Sequence, residues 1–124
     1  MSGGWSTAPD GAPLGAATVT LAEARAAHAA AGGPYHEFLR LPAISAGLYV
    51  LPAGEDDPQE PHSEDEIYFV VAGHARFACG SGVSADDRAV GPGDTIYVAK
   101  GVEHCFHTIV EELTLLVLFA PARM

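Results

Sequence analysis

Positive charge is scarce in this 124-residue chain: Lys and Arg number 6 against 16 Asp and Glu, a formal net charge of −10. A surface that acidic repels phosphate backbones and anionic headgroups, which excludes nucleic acid and membrane surfaces as partners. Cysteine is nearly as rare. Cys79 and Cys105 are the only two, and neither sits in a C-x-x-C pair, so a disulfide scaffold, a zinc ribbon and thioredoxin-like chemistry are unsupported. Both are expected as free, packed thiols. Long apolar runs are missing too: the longest, Leu113 to Pro121, is interrupted by Thr114 and is too short to span a bilayer. Met1 to Thr7 has neither the basic start nor the apolar segment of a signal peptide. A soluble, cytoplasmic protein is expected.

What the chain does have is enough apolar material, 48% of residues, to lie outside the composition of disordered proteins. Its length suits one domain. Residues 1–18, rich in Gly, Ser, Ala and Pro around the isolated Trp5, read as a flexible arm, and 19–124 as a single domain. Thr20-Leu21-Ala22-Glu23 is a capping box that predicts one short helix ending at Gly32-Gly33-Pro34. After Pro42 the texture changes to short β-type runs: Ser45 to Leu51, Ile67 to Val71, Ala75 to Ala78, Arg88 to Val90, Thr95 to Ala99, His104 to Val110 and Leu113 to Phe119. Turn residues at short, regular intervals separate them, which predicts an all-β sandwich or closed barrel. Ile67 to Val71 and Leu115 to Phe119 are apolar at every position, so both of their faces should be covered, the second by another subunit in a symmetric homodimer.

Glu60, His62 and Glu66 lie at even positions in a stretch leading into a strand, so their side chains share a face. His104 follows the Gly91-Pro92-Gly93-Asp94 turn and a further strand. Two imidazoles with one or two carboxylates form the mixed nitrogen and oxygen set that suits Fe(II), Mn, Ni, Co or Zn, and with open positions that set is similar to a non-haem iron facial triad.

At these spacings the chain resembles the cupin superfamily, small jelly-roll barrels with a metal inside. Gly54, Glu60, His62, Glu66 and Gly73 fall at the intervals of the family's first motif, and Gly93, Ala99, Gly101, His104 and Thr108 at those of its second. Three positions depart from the pattern: Glu60 stands for the first histidine, Ala99 for a proline and Thr108 for an asparagine. The resemblance covers Ala43 to Pro121 and implies a jelly-roll barrel holding a divalent transition metal on His62, Glu66 and His104. Glu60 is either a fourth ligand or turned to solvent, since the flanking Asp56-Asp57-Pro58-Gln59 loop is acidic and reads as mobile.

Tyr68 and Phe106 share parity with Glu66 and His104 and should face the interior as pocket wall, with Tyr49 and Phe77 as further wall candidates. Tyr68 and an unligated Glu60 are the candidate proton-transfer groups. His28, His36 in the Pro34-Tyr35-His36 turn, His74, and the run Glu64-Asp65 read as solvated, and His107 as pointing away from the site. Small cupins include dioxygenases, isomerases, lyases and non-catalytic binders. With few acid–base groups and no Arg in either motif to clamp a phosphate, the sequence favours a metal-dependent, Fe(II)-type dioxygenase or related oxidoreductase acting on a small oxygen-bearing molecule. The alternatives are a metal-dependent isomerase or lyase, and a ligand-binding or regulatory cupin without turnover.

Overall fold

The computed structural model describes residues 15–55, 57, 61–80 and 86–123. The greater part of the N-terminal arm, Trp5 included, and Glu60 therefore lie outside the described residues. Among the described residues one helix, α1 (Leu21–Ala31), precedes eight strands: β1 (Tyr35–Leu41), β2 (Ile44–Leu51), β3 (Asp65–Ala72), β4 (Ala75–Cys79), β5 (Asp86–Val90), β6 (Thr95–Val98), β7 (His104–His107) and β8 (Leu113–Ala120).

The capping box forms as read. Thr20 Oγ1 accepts from Glu23 N at 3.1 Å, and Glu23 Oε1 accepts from Thr20 N at 2.9 Å, so early helix N–H groups that lack an intrahelical partner are satisfied. The helix stops at Gly32 with φ 75. His28, expected in solvent, is half-buried and donates from Nε2 to the Pro34 carbonyl at 3.0 Å, tying down the chain just past that stop. The segment beyond is no turn. Tyr35 and His36 open β1, which pairs with β2 through Tyr35↔Tyr49 and His36↔Leu48. Its side chains are half-buried on both faces, so the apolar alternation that marks a strand is absent from its sequence.

The strands pair antiparallel into a five-stranded sheet, β1-β2-β8-β3-β6, and a three-stranded sheet, β5-β4-β7. This is the all-β jelly-roll arrangement. Alternate residues of each strand point between the sheets, so Tyr68, Val70, Phe77, Phe106, Leu115, Val117 and Phe119 form one core. Each such side chain contributes about 1.5–3 kcal/mol when fully buried. Strand ends differ slightly from the expectation: β6 stops at Val98 and β7 at His107. After β7, Thr108 takes a left-handed conformation, φ 50. A β-branched residue is costly there, whereas asparagine, which the second motif has at this position, tolerates it. At the β3–β4 hairpin, Gly73 has φ 93 and lies so close to the Glu112 carbonyl that a Cβ would collide with it.

The outer face of the five-stranded sheet is covered unevenly. Helix α1 packs against β1 and β2, and Ala46 and Leu48, opposite in parity to Tyr49, are buried there. On β3 and β6 the corresponding residues are open: Ile67, Phe69 and Tyr97 are 38%, 40% and 63% exposed. Within one chain, therefore, β3 is covered on its inner face only.

Candidate metal centre

Two strands from different sheets bring the polar groups together. β3 carries Glu66 and Tyr68 on its inner face, His62 lies just ahead of it, and His104 opens β7 in the facing sheet. As strand parity requires, Glu66, Tyr68 and His104 are buried, and His62 is half-buried. His104 Nε2 stands 3.2 Å and His62 Nε2 3.9 Å from Glu66 Oε1, and the three donor atoms lie within 4.8 Å of one another. Donors sharing one ion at bonds of about 2.0–2.2 Å stand about 3–4 Å apart. Among the described residues, His62, Glu66 and His104 are the group able to hold a metal ion.

Two details test whether a cation fits. Glu66 is 2% exposed, yet among the described residues neither carboxylate oxygen accepts a hydrogen bond, and His104 Nε2, 3.2 Å from Oε1, meets it as a charge partner only when protonated. A buried carboxylate in that condition is costly unless a positive charge meets it. His104 Nδ1 lies 2.9 Å from the Val102 carbonyl, which only accepts, so in the neutral ring Nδ1 carries the hydrogen and Nε2 presents its lone pair to Glu66 and Tyr68. A metal-ligating histidine is oriented in this way. The residues present fit a divalent cation.

The two imidazoles differ in charge preference. Burial pushes His62 down, and although Glu66 opposes this, the net shift is downward. Burial would also depress His104, but the adjoining Glu66 carboxylate and the Val102 carbonyl outweigh it, and its pKa is raised.

Aromatic rings wall the group. Phe119 meets the His62 ring edge-on at 5.2 Å, Phe77 lies 6.0 Å from the His104 ring, and Tyr68 packs edge-to-face on Phe106 at 5.0 Å. Tyr68 Oη lies 3.0 Å from His104 Nε2. A cavity of about 390 Å³ opens between β5 and β6, large enough for a small ligand. It meets the group at Phe77 rather than at the donor atoms themselves. Tyr49, also buried, donates to Asp57 Oδ1 at 2.6 Å instead of facing the imidazoles.

The other histidines lie elsewhere. His74 pairs with Glu111 at the surface, and His107 Nε2 turns to Asp87 Oδ2 at 2.9 Å, as its odd spacing from His104 implies. The acidic run is not solvated. Glu64, 4% exposed, accepts from Ser63 Oγ at 2.6 Å, and Asp65 Oδ1 accepts from Lys100 N at 3.0 Å and Tyr97 Oη at 3.2 Å. Gly101 N also donates to the His62 carbonyl at 2.7 Å. The chain around the first motif is thereby laced to the loop of the second. Asp57 is a further buried carboxylate that sequence reasoning placed in a mobile acidic loop. Neither Cys79 nor Cys105 forms a disulfide.

The family model described as a cupin domain matches residues 47–120, which include His62, Glu66 and His104. The chain belongs to the cupin family. The uncharacterized protein SCO3923 from Streptomyces coelicolor is 46% identical over 101 residues, 82% of this chain and 92% of its own. Dimethylsulfoniopropionate lyase DddQ from Ruegeria pomeroyi is 32% identical over 88 residues, 71% of this chain and 40% of its own. The present chain thus spans about two fifths of that lyase. The DddQ crystal structure matches with a TM-score of 0.58 at 31% identity over 64% of this chain and 39% of that one. KdgF from Halomonas sp., 20% identical over 72% of this chain and 78% of its own, shares the fold with a TM-score of 0.63. No helix among the described residues is long and apolar enough to cross a membrane.

Proposed function

We propose that this cupin is a metal-dependent enzyme of the lyase type, holding a divalent transition metal on His62, Glu66 and His104 and acting on a small carboxylate-bearing molecule. The observation that carries the reading is the buried tyrosine: Tyr68 Oη, 3.0 Å from His104 Nε2, places an acid–base group beside the ligand set. The partial likeness to DddQ, at about one third identity, supports it.

The cation, when bound, supplies Lewis-acid polarisation of a substrate oxygen. The chain's own residues do the rest. Tyr68 would hold or move a proton at Oη, beside the residues that would hold the cation. In an elimination, Tyr68 as the phenolate, its own proton already released to solvent, takes up the C–H proton at Oη while the C–H electron pair forms a C=C bond and the β-substituent leaves with the electron pair of its broken bond. Phe77 and Phe106 keep water from the reacting carbons and from the buried Glu66. Glu60 remains a candidate fourth ligand.

A second reading is an Fe(II)-type dioxygenase. The two-histidine, one-carboxylate donor set favours it, because that set leaves positions open for oxygen and substrate. The two readings separate in one experiment: metal-loaded protein is supplied with dimethylsulfoniopropionate and a panel of β-substituted carboxylates, with and without oxygen. The lyase reading expects product without oxygen. Turnover that consumes oxygen stoichiometrically gives the dioxygenase reading, and metal-loaded protein that binds small carboxylates without turnover gives a binding cupin.

The apolar strip Ile67, Phe69 and Tyr97 supports a homodimer buried at β3 and β6.

A further inference from the structure

Strand β7 is short and lies at the end of its sheet, with β4 on one side only. An edge strand leaves one row of backbone groups without a strand partner. Here that row is met by the segment that follows β2. Asp57 Oδ2 accepts from Phe106 N at 3.0 Å, and Gly54 N donates to the Ile109 carbonyl at 3.0 Å. The other Asp57 oxygen is taken by Tyr49 Oη at 2.6 Å, and Tyr49 belongs to β2 of the opposite sheet. The carboxylate is 8% exposed. It acts as a rivet between the two sheets and grips β7 two residues beyond His104. Phe106, whose N–H it holds, is also the ring against which Tyr68 packs at 5.0 Å.

We propose that Asp57 is a positioning residue of the metal centre: by holding Tyr49 and the Phe106 N–H at once, it fixes the placement of His104 and of the Tyr68 ring. This rests on the metal reading above. The carboxylate suits this place because Tyr49 Oη and Phe106 N both donate to it, each to its own oxygen. An amide at this position keeps one accepting oxygen; with that oxygen on Phe106 N its NH2 faces Tyr49 Oη, which must turn from donor to acceptor, and the short charge-assisted bond is lost. Groups that orient a ligand without touching the metal are worth about 10–100-fold in affinity.

The test is Co(II) binding by the full chain, read by calorimetry and by the visible d–d spectrum, for wild type, Asp57→Asn, Tyr49→Phe and His104→Ala, alongside metal-free melting. Wild type should bind one Co(II) and His104→Ala should lose it. Asp57→Asn should weaken binding about tenfold or more and shift the d–d bands, with the fold retained. If Asp57→Asn does not fold, Tyr49→Phe, which keeps the carboxylate and removes one arm, should still weaken binding severalfold. Wild-type affinity and an unchanged spectrum in the folded Asp57→Asn, or in Tyr49→Phe where only that variant folds, overturn the positioning role while leaving the metal reading intact. Wild type that binds no Co(II) overturns both.

Discussion

Tyr68 Oη and His104 Nε2 stand 3.0 Å apart inside a wall of aromatic rings, although the residues come from opposite sheets. The imidazole nitrogen that receives this phenol is the one left free by the Val102 carbonyl. Proton carrier and candidate ligand are therefore set beside each other by backbone geometry.

Removal of the phenol oxygen alone, Tyr68→Phe, should keep the ring packing on Phe106 and the metal. For a lyase, kcat is expected to fall by about 10²–10⁴ with metal content unchanged. Steady-state kinetics beside elemental analysis measures both. Undiminished turnover would remove Tyr68 from the chemistry and favour oxygen activation.

Above the raised His104 pKa, Glu66 is a buried carboxylate beside a neutral imidazole and, among the described residues, accepts no hydrogen bond; a buried charge left so weakens a fold. Glu66→Gln should therefore melt, metal-free, at or above the wild-type temperature. It should also lose most of the rise that added Mn(II) or Co(II) brings to wild type by mass action. Equal metal-induced shifts in the two proteins would place the ion elsewhere.

The opposite shifts of the two imidazoles predict a pH optimum for the metal-free fold. His104, with its pKa raised above 6.5, contributes stability that is complete below 6.5 and lost as pH climbs through the raised value. His62, depressed below 6.5, contributes stability that is present above 6.5 and lost as pH falls through the lowered value. In the contribution of this pair, melting temperature should peak near pH 6.5. Metal binding must displace the His104 proton, so affinity should rise from pH 6.5 upward. Calorimetry across that range checks it, and a flat affinity profile would separate His104 from the metal.

The exposed strip on β3 and β6 predicts a dimer of twice 12.8 kDa. Phe69→Lys should convert it to a folded monomer, because Phe69 is 40% exposed within one chain. Light scattering on a sizing column gives the mass directly. A monomeric wild type would leave the strip for another partner.

The polar cluster was legible because strand parity and motif spacing act locally: His62, Glu66, Tyr68 and His104 converge as their numbers imply. So was the helix, since a capping box is a short-range signal. β1 was missed because both of its faces are half-buried, leaving no apolar alternation to read. Glu64, Asp65 and Asp57 were misjudged for one shared reason. A run of acids looks solvated until the donors that meet it, Ser63, Lys100 N, Tyr49 and Phe106 N, are brought close by the fold. Those partners, Ser63 apart, lie on distant segments.

Elemental analysis of protein purified without a metal-chelating step, for wild type and for His62→Ala and His104→Ala, tests the centre most directly. About one equivalent of a divalent transition metal in wild type, and little in either variant, is the expected result. Metal-free wild type that takes up none of Fe, Mn, Co, Ni or Zn would contradict it.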